Sequence, residues 1–191
     1  MNERGHVSRH LLGKELSLGE GAIRTLLKHL KMKGLIGATN SGTRLTEKGM
    51  TMLLGLLSSI PAETSIPKSS VTLSNFNYAV LLKQYGFAIK SGIEQRDAAI
   101  KIGALGATTL LYREHKFVMP AAYSNDNNNN NDFLQIEPHV VNLLIDKLKP
   151  EGNDVIIIGS DNESLRAAEF AAKNAALYTI TNHETHKEFT N

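Results

Sequence analysis

Between Ser58 and Ser70 the chain reads SSIPAETSIPKSS, and no other stretch limits its folding options as strongly. Two prolines fix φ and remove backbone donors, so a helix cannot run through, and the serines and threonine leave little to bury. The chain is therefore expected to fold as two domains, residues 1–58 and 71–182, with this run as the linker. A length of 191 residues suits two small domains as well as one large one. The texture on either side favours two: helical periodicity precedes the run, and short β-like segments alternating with amphipathic helices follow it.

Hydrophobic residues make up 41% of the chain and charged residues 21%, which supplies side chains for two cores and argues against global disorder. There is no cysteine, which excludes disulfides, cysteine-ligated zinc, iron–sulfur clusters and thiol catalysis and favours an intracellular address. No apolar run reaches the roughly 18 to 20 residues of a membrane span, and MNERGHVSRH holds no signal-peptide core, so a cytoplasmic protein without a membrane partner is expected. The net charge of +2 conceals an asymmetry, because residues 1–55 hold nine Lys/Arg against four Asp/Glu while the remainder holds twelve against fifteen. A polyanion would find its basic charge in the first domain. A solvated basic surface would give the same count.

Within that domain the pattern is specific. Leu11, Leu12 and Leu16 give a short helix over His10 to Leu16 one apolar side. Ser17 to Gly21 (SLGEG) then supplies a tight turn, with Leu18 expected as the buried plug between two steeply angled helices. The next helix, about Glu20 to Lys33, places Ile23, Leu26, Leu27 and Leu30 at i, i+3, i+4 and i+7, one buried face. Stepping 100° per residue puts Gly21, Thr25 and Lys28 opposite, with Arg24 beside them and His29 at the edge. Small and basic residues there let a helix approach a groove and reach base edges and phosphates. Gly34 stops the helix, and Leu35 to Ala38 and Thr43 to Leu45 read as two strands around Asn40-Ser41-Gly42, a wing that presents Asn40 and Arg44. From Thr46, the expected N-cap, a further helix begins with Glu47 in its first turn.

LSLGEGAIRTLLKHLKMKGLI followed by TRLTEKG resembles the winged helix-turn-helix of bacterial and archaeal transcription regulators over about residues 8–56. The resemblance implies DNA binding through Gly21, Arg24, Thr25, Lys28, His29, Asn40 and Arg44. Winged helices usually open with one more helix; the residues before Ser8 are few and polar, so the expectation is either a truncated or mis-assigned start or replacement of that helix by the long one after the wing. QRDAAIKIGALGATTLLYREHKFVMPA and DVIIIGSDNESLRAAEFAAKNAAL resemble the uncharacterised C-terminal domain that follows such a winged helix in a family of archaeal proteins. That resemblance implies architecture and assigns no ligand.

The second domain reads as strand Tyr78 to Gln84, helix Glu94 to Gly103, strands Ala107 to Tyr112 and Lys116 to Met119 about an exposed Arg113-Glu114-His115 turn, helix Glu137 to Leu148, strand Asp154 to Ile158 and helix Asn162 to Leu177. This βαββαβα order implies a mixed α+β domain, ferredoxin-like or a similar two-layer sandwich. Ser124 to Asp132 (SNDNNNNND) is a low-complexity tract expected as a surface loop, and His183 to Asn191 a polar tail. Gly159, Ser160, Asp161 and Asn162 join a buried strand to a helix, where backbone amides could hold an anion or where Ser160 or Asp161 could simply cap the helix. Gly103 and Gly106 fit neither a P-loop nor a dinucleotide fingerprint, and close packing accounts for them. The histidines do not cluster at ligand spacing, so no metal and no cofactor are expected.

The expected function is a DNA-binding transcription regulator whose second domain senses an effector or dimerises. Its partners would be double-stranded DNA, a small-molecule effector and a second copy of the chain. No nucleophile with a recognisable base is present, so no enzyme is expected. Two alternatives stay open: a small-metabolite enzyme carrying a winged helix, and a winged helix used only for protein contacts.

Overall fold

The computed structural model describes residues 5–120 and 136–187, with the side chains of 184–187 outside the description. The asparagine tract Ser124 to Asp132 therefore lies outside the described residues. Contacts divide the chain after Ser58 into two units, each a mixture of helices and antiparallel strands.

The first unit runs α1 (Arg9–Leu16), α2 (Glu20–Met32), β1 (Ile36–Thr39), β2 (Gly42–Leu45) and α3 (Glu47–Ser59). Ser8 caps α1 by accepting from the Leu11 amide at 3.2 Å. The helix closes on Ser17, left-handed at φ 50°, with the Leu18 amide donating to the Gly13 carbonyl at 3.0 Å. That closure turns Leu18 outward: it is 42% exposed, and the expected plug is instead Ile23, at 1%. Strands β1 and β2 pair antiparallel from Ile36↔Leu45 to Thr39↔Gly42 about the two-residue turn Asn40-Ser41. Ahead of α1, Val7 forms a bridge to Thr43, its N–H and C=O both bonded at 2.9 Å. Only glycine fits next to that bridge, because Gly42 has φ 134° and a Cβ there would stand 2.5 Å from the Val7 carbonyl oxygen. Thr46 caps α3, accepting from the Gly49 amide at 3.0 Å while donating to the Gly34 carbonyl at 2.6 Å.

The second unit holds β3 (Ala62–Ile66), β4 (Phe76–Leu82), a 3-10 turn (Gly86–Ala88), α4 (Ile93–Lys101), β5 (Gly106–Arg113), β6 (Lys116–Val118), α5 (Pro138–Leu148), β7 (Val155–Asp161) and α6 (Leu165–Lys187). Its sheet order is β3-β4-β7-β5-β6, every neighbouring pair antiparallel. Three expectations change here. The run read as a linker contains β3, an edge strand bounded by Pro61 and Pro67 in which Ala62 and Ile66 face the core between exposed Glu63 and Ser65. Prolines are tolerated at a strand edge, and a half-buried strand needs few apolar residues. On its outer side Lys173 Nζ joins Glu63 at 2.9 Å and Glu169 at 2.6 Å, tying the edge to α6.

The order is also not ferredoxin-like. That arrangement would insert β6 between β4 and β5; here β7 takes the place and β6 lies at the edge. Burial explains the exchange, since every residue of β7 is buried whereas β6 has three residues and exposes Lys116. Finally, the unit has three layers rather than two. Ala79, Leu81, Leu110, Ile156 and Ile158 face Val140, Leu144 and Leu148 of α5, while α4 and α6 pack together on the other side of β4, β5 and β7. A strand buried on both faces reads as a continuous apolar run, and VIII does.

At its start β7 is fastened by Asp154, fully buried, which accepts from the Gln84 amide (2.9 Å), Gln84 Nε2 (3.1 Å) and the Glu151 amide (2.8 Å) and meets Lys83 Nζ at 3.3 Å. At its end, Gly159 lies against α6, and a Cβ built there would stand 2.3 Å from the Ala168 carbonyl and 2.4 Å from the Ala172 amide. Both are helix backbone and cannot step aside. Gly159→Ala is expected to cost about 3 kcal/mol by overpacking, read in urea unfolding as a lower midpoint with an unchanged slope. An unchanged midpoint would mean that α6 sits less tightly on the sheet than these distances require.

Candidate nucleic-acid interface

The first unit builds its outer surface from α2 and the β1–β2 hairpin. Ile23 is the buried residue of α2, with Leu26, Leu27 and Leu30 half-buried at the same phase. The hydrophobic face thus fixes which side turns out, and Gly21, Arg24, Thr25, Lys28 and His29 are all exposed on that side. Gly21 has open space around it, with nothing within 4 Å of a built Cβ. Arg24 Nη2 meets Glu20 Oε1 at 2.7 Å, one turn back along the helix and fully on the surface. Such pairs contribute only about 0.2–1 kcal/mol, so the guanidinium is readily recruited elsewhere.

Gly34, at φ 70°, ends α2 and sends the chain into β1. Lys48 of α3 reinforces that exit by donating from Nζ to the Lys33 carbonyl at 3.0 Å. In the hairpin, Arg44 pairs across from Gly37, and Asn40 sits in the connecting turn; Asn40 and Arg44 are both exposed. The hairpin is held from behind by Val7 and by Thr39, whose hydroxyl donates to the Gly42 carbonyl and lies 3.0 Å from His6 Nδ1. All seven residues expected to touch a partner therefore lie at the surface of one unit, five along one helix face and two on the hairpin. Lys31 and Lys33 extend the basic character of α2 and are exposed as well.

The turn region of the second unit is engaged internally. Ser160 donates to Asn77 Oδ1 at 2.7 Å and accepts from the Leu73 amide at 3.1 Å. Asp161 Oδ1 accepts from the Glu163 and Ser164 amides at 2.8 and 3.2 Å, and Asn162 Oδ1 accepts from the Ser74 hydroxyl at 2.5 Å. Helix α6 begins later than expected, with Ser164 rather than Ser160 or Asp161 at its N-terminus, accepting from the Ala167 amide at 3.1 Å. These bonds fasten the 73–77 segment to the sheet.

The residues that sequence reasoning passed over lie elsewhere in this unit. A cavity of about 190 Å³ opens between the 3-10 turn, α4 and the far end of α6, and Gln95, Tyr178 and His183 are among its walls. His183 belongs to α6, which continues through it to Lys187, and not to a polar tail. The available signal was Gln95, a polar residue at helical spacing with Ala98 and Ala99 on the buried side of α4.

Comparisons with known proteins place the chain by architecture. Residues 4–51 match a family model described as "PH0730-like, N-terminal domain". The solved structure of the hypothetical protein PH0730 from Pyrococcus horikoshii OT3 is similar, at 24% identity and a TM-score of 0.62, over 93% of this chain and 87% of that one. At this identity the likeness shows the fold alone. No curated protein matches the chain. Residues 73–180, more than half of the chain, match the family described as "Domain of unknown function (DUF4443)", and the chain belongs to that family.

Proposed function

We propose that the first unit is a winged helix-turn-helix that binds double-stranded DNA and that the chain is a cytoplasmic transcription regulator. The observation that carries this reading is the outward face of α2, on which Gly21, Arg24, Thr25, Lys28 and His29 are exposed together in the basic first unit of the chain. A major groove about 12 Å wide admits one helix. Gly21 lets the backbone come close, Arg24 and Lys28 reach bases or phosphates, and Lys31 and Lys33 add phosphate contacts. The hairpin serves as the wing, with Asn40 and Arg44 against the neighbouring backbone or minor groove.

Pairing of two chains completes the proposal, because two-fold symmetry spaces recognition helices by about 34 Å, one turn of DNA. Helix α3 supports it. Met50, Leu53, Leu54 and Leu57 stand at i, i+3, i+4 and i+7 and are all exposed, Leu54 at 58%. An apolar stripe of that spacing on an exposed helix is the pattern of a helix that buries itself against another. The second unit then serves as the effector-sensing part.

In fluorescence anisotropy with duplex DNA, the full-length chain is expected to bind with an affinity that falls as log[salt] rises, at a slope of about 0.9 per phosphate contacted. The double variant Arg24→Ala, Lys28→Ala should weaken binding by roughly a hundredfold, two charged contacts at about 1–3 kcal/mol each. Binding indifferent to both changes would place the contact face elsewhere, and no binding at low salt would turn the unit into a protein-interaction module. Light scattering should give twice the chain mass of 20.9 kDa, and Leu54→Glu should return it to the monomer by burying a carboxylate in the seam. A wild-type monomer at all concentrations would sink the pairing.

A further inference from the structure

The cavity at the end of α6 has a chemistry of its own. Phe87, Tyr178 and His183 give it aromatic walls, Gln95, Thr179 and Asn182 its uncharged polar groups, and Lys90 and Glu94 are exposed among its lining residues. Tyr85 stacks on Phe87 with ring centroids 5.9 Å apart, and His183 stands edge-on to Phe87 at 4.4 Å. These rings brace one another.

Gln95 is the informative residue. It is 1% exposed, and its Nε2 donates to Thr179 Oγ1 at 2.9 Å. The same hydroxyl donates its single proton to the Ala175 carbonyl at 2.9 Å. A hydroxyl whose proton is committed can only accept from its other neighbour, so the amide orientation is fixed by chemistry: nitrogen toward Thr179, oxygen away. That oxygen, Oε1, is buried and has no hydrogen-bond partner among the described residues, and the same holds for His183 Nε2. Buried polar atoms left unmet are costly and uncommon, and each one asks what meets it.

We propose that this cavity binds a small, neutral, planar ring compound that donates an N–H to Gln95 Oε1. The donor requirement follows from the unmet oxygen of Gln95, a residue that lines the cavity. The flat shape follows from the aromatic walls, which favour stacked and edge-on ring contacts. The size follows from about 190 Å³, given that an engineered cavity of about 150 Å³ takes up benzene. Neutrality follows from exposure, since Lys90 and Glu94 are opposite in sign and screened by solvent, whereas the unmet acceptor is fully buried. One or two fused rings fit, such as a nucleobase or an indole. The proposal gives chemical content to the effector-sensing role assigned above and rests on that reading for its regulatory consequence, though not for the binding itself.

The test uses indole and indene, two fused-ring compounds of nearly the same shape, of which only indole carries an N–H. Each is titrated into the full-length chain, without DNA, by calorimetry and by nitrogen–proton correlation spectra. Indole is expected to bind roughly tenfold more tightly than indene, the worth of one buried hydrogen bond, and to shift the Gln95 side-chain amide and the backbone amide of Thr179. Gln95→Leu keeps the volume and removes the acceptor. It should abolish the preference while leaving the thermal midpoint unchanged or higher, which separates lost recognition from lost folding. Indene binding as tightly as indole, a preference that survives in Gln95→Leu, or no binding of either compound, as for a cavity that holds water only, each overturns the proposal. Because no DNA is present, these outcomes leave the DNA-binding reading standing, and loss of DNA binding leaves this one standing.

Discussion

The second unit depends on one constraint: β7 is buried on both faces, and everything else is arranged to cover it. VIII supplies side chains to α5 on one side and to α6 on the other, and the bare backbone of Gly159 admits α6 to contact distance. An alanine-rich helix is what such a site requires. Ala168, Ala171, Ala172, Ala175 and Ala176 are completely buried, so the helix axis approaches the sheet more closely than leucines would allow. The neighbours of β7 are antiparallel to it and lie on both sides, so its backbone groups are paired as well as its side chains packed. A polar substitution in the middle of β7 would therefore find neither water nor a free partner.

How much of this was legible follows from what each element asks of its residues. α2, the hairpin, β7 and the body of the alanine-rich helix announce themselves, because their periodicity or composition is set by burial on a known face. β3 does not, since Ala62 and Ile66 are its only apolar residues and two prolines flank it; only pairing with β4 makes it a strand. Strand order is likewise invisible in the list of elements, because βαββαβα can be wound with either β6 or β7 between the first two strands. What decides is relative burial, a property of the finished sheet. The exposed positions of α2 follow from the phase of Ile23, whereas the outward position of Leu18 does not follow from periodicity, because it is set by the left-handed turn at Ser17.

The first unit is held together differently. Few of its residues are buried; Ile23 and Gly49 are the buried members of its helices, and much of its apolar surface, from Leu18 and Met32 to the α3 stripe, remains in contact with solvent. Small domains bury a lower fraction of their surface and are correspondingly marginal. Here backbone hydrogen bonds do part of the fastening: Val7 to Thr43, Thr46 to Leu35, and the Thr46 and Lys48 side chains to the end of α2. A unit so lightly packed gains proportionately more from any partner that covers its apolar stripe, which links its stability to the pairing proposed for α3.

The position of the cavity follows from a mismatch of lengths. β7 has seven residues and spans about 23 Å at roughly 3.3 Å per residue. α6 has 23 residues and spans about 35 Å at 1.5 Å per residue. Starting beside the end of β7 and running back along it, the helix outlasts the strand by about 12 Å, and Tyr178, Asn182 and His183 lie in the turns near and beyond the strand's start. β7 itself does not reach beneath those turns. The 3-10 turn, pinned where the Gly86 amide donates to the Asn153 carbonyl at 2.8 Å, and the first turn of α4 supply cover there instead. Cover assembled from a turn and a helix end cannot interdigitate as strands do, so space remains, and the polar residues that face it need not be matched by the fold. An overhanging helix thus leaves space where the strand ends, and Gln95 of α4, whose Oε1 is unpaired among the described residues, lines that space.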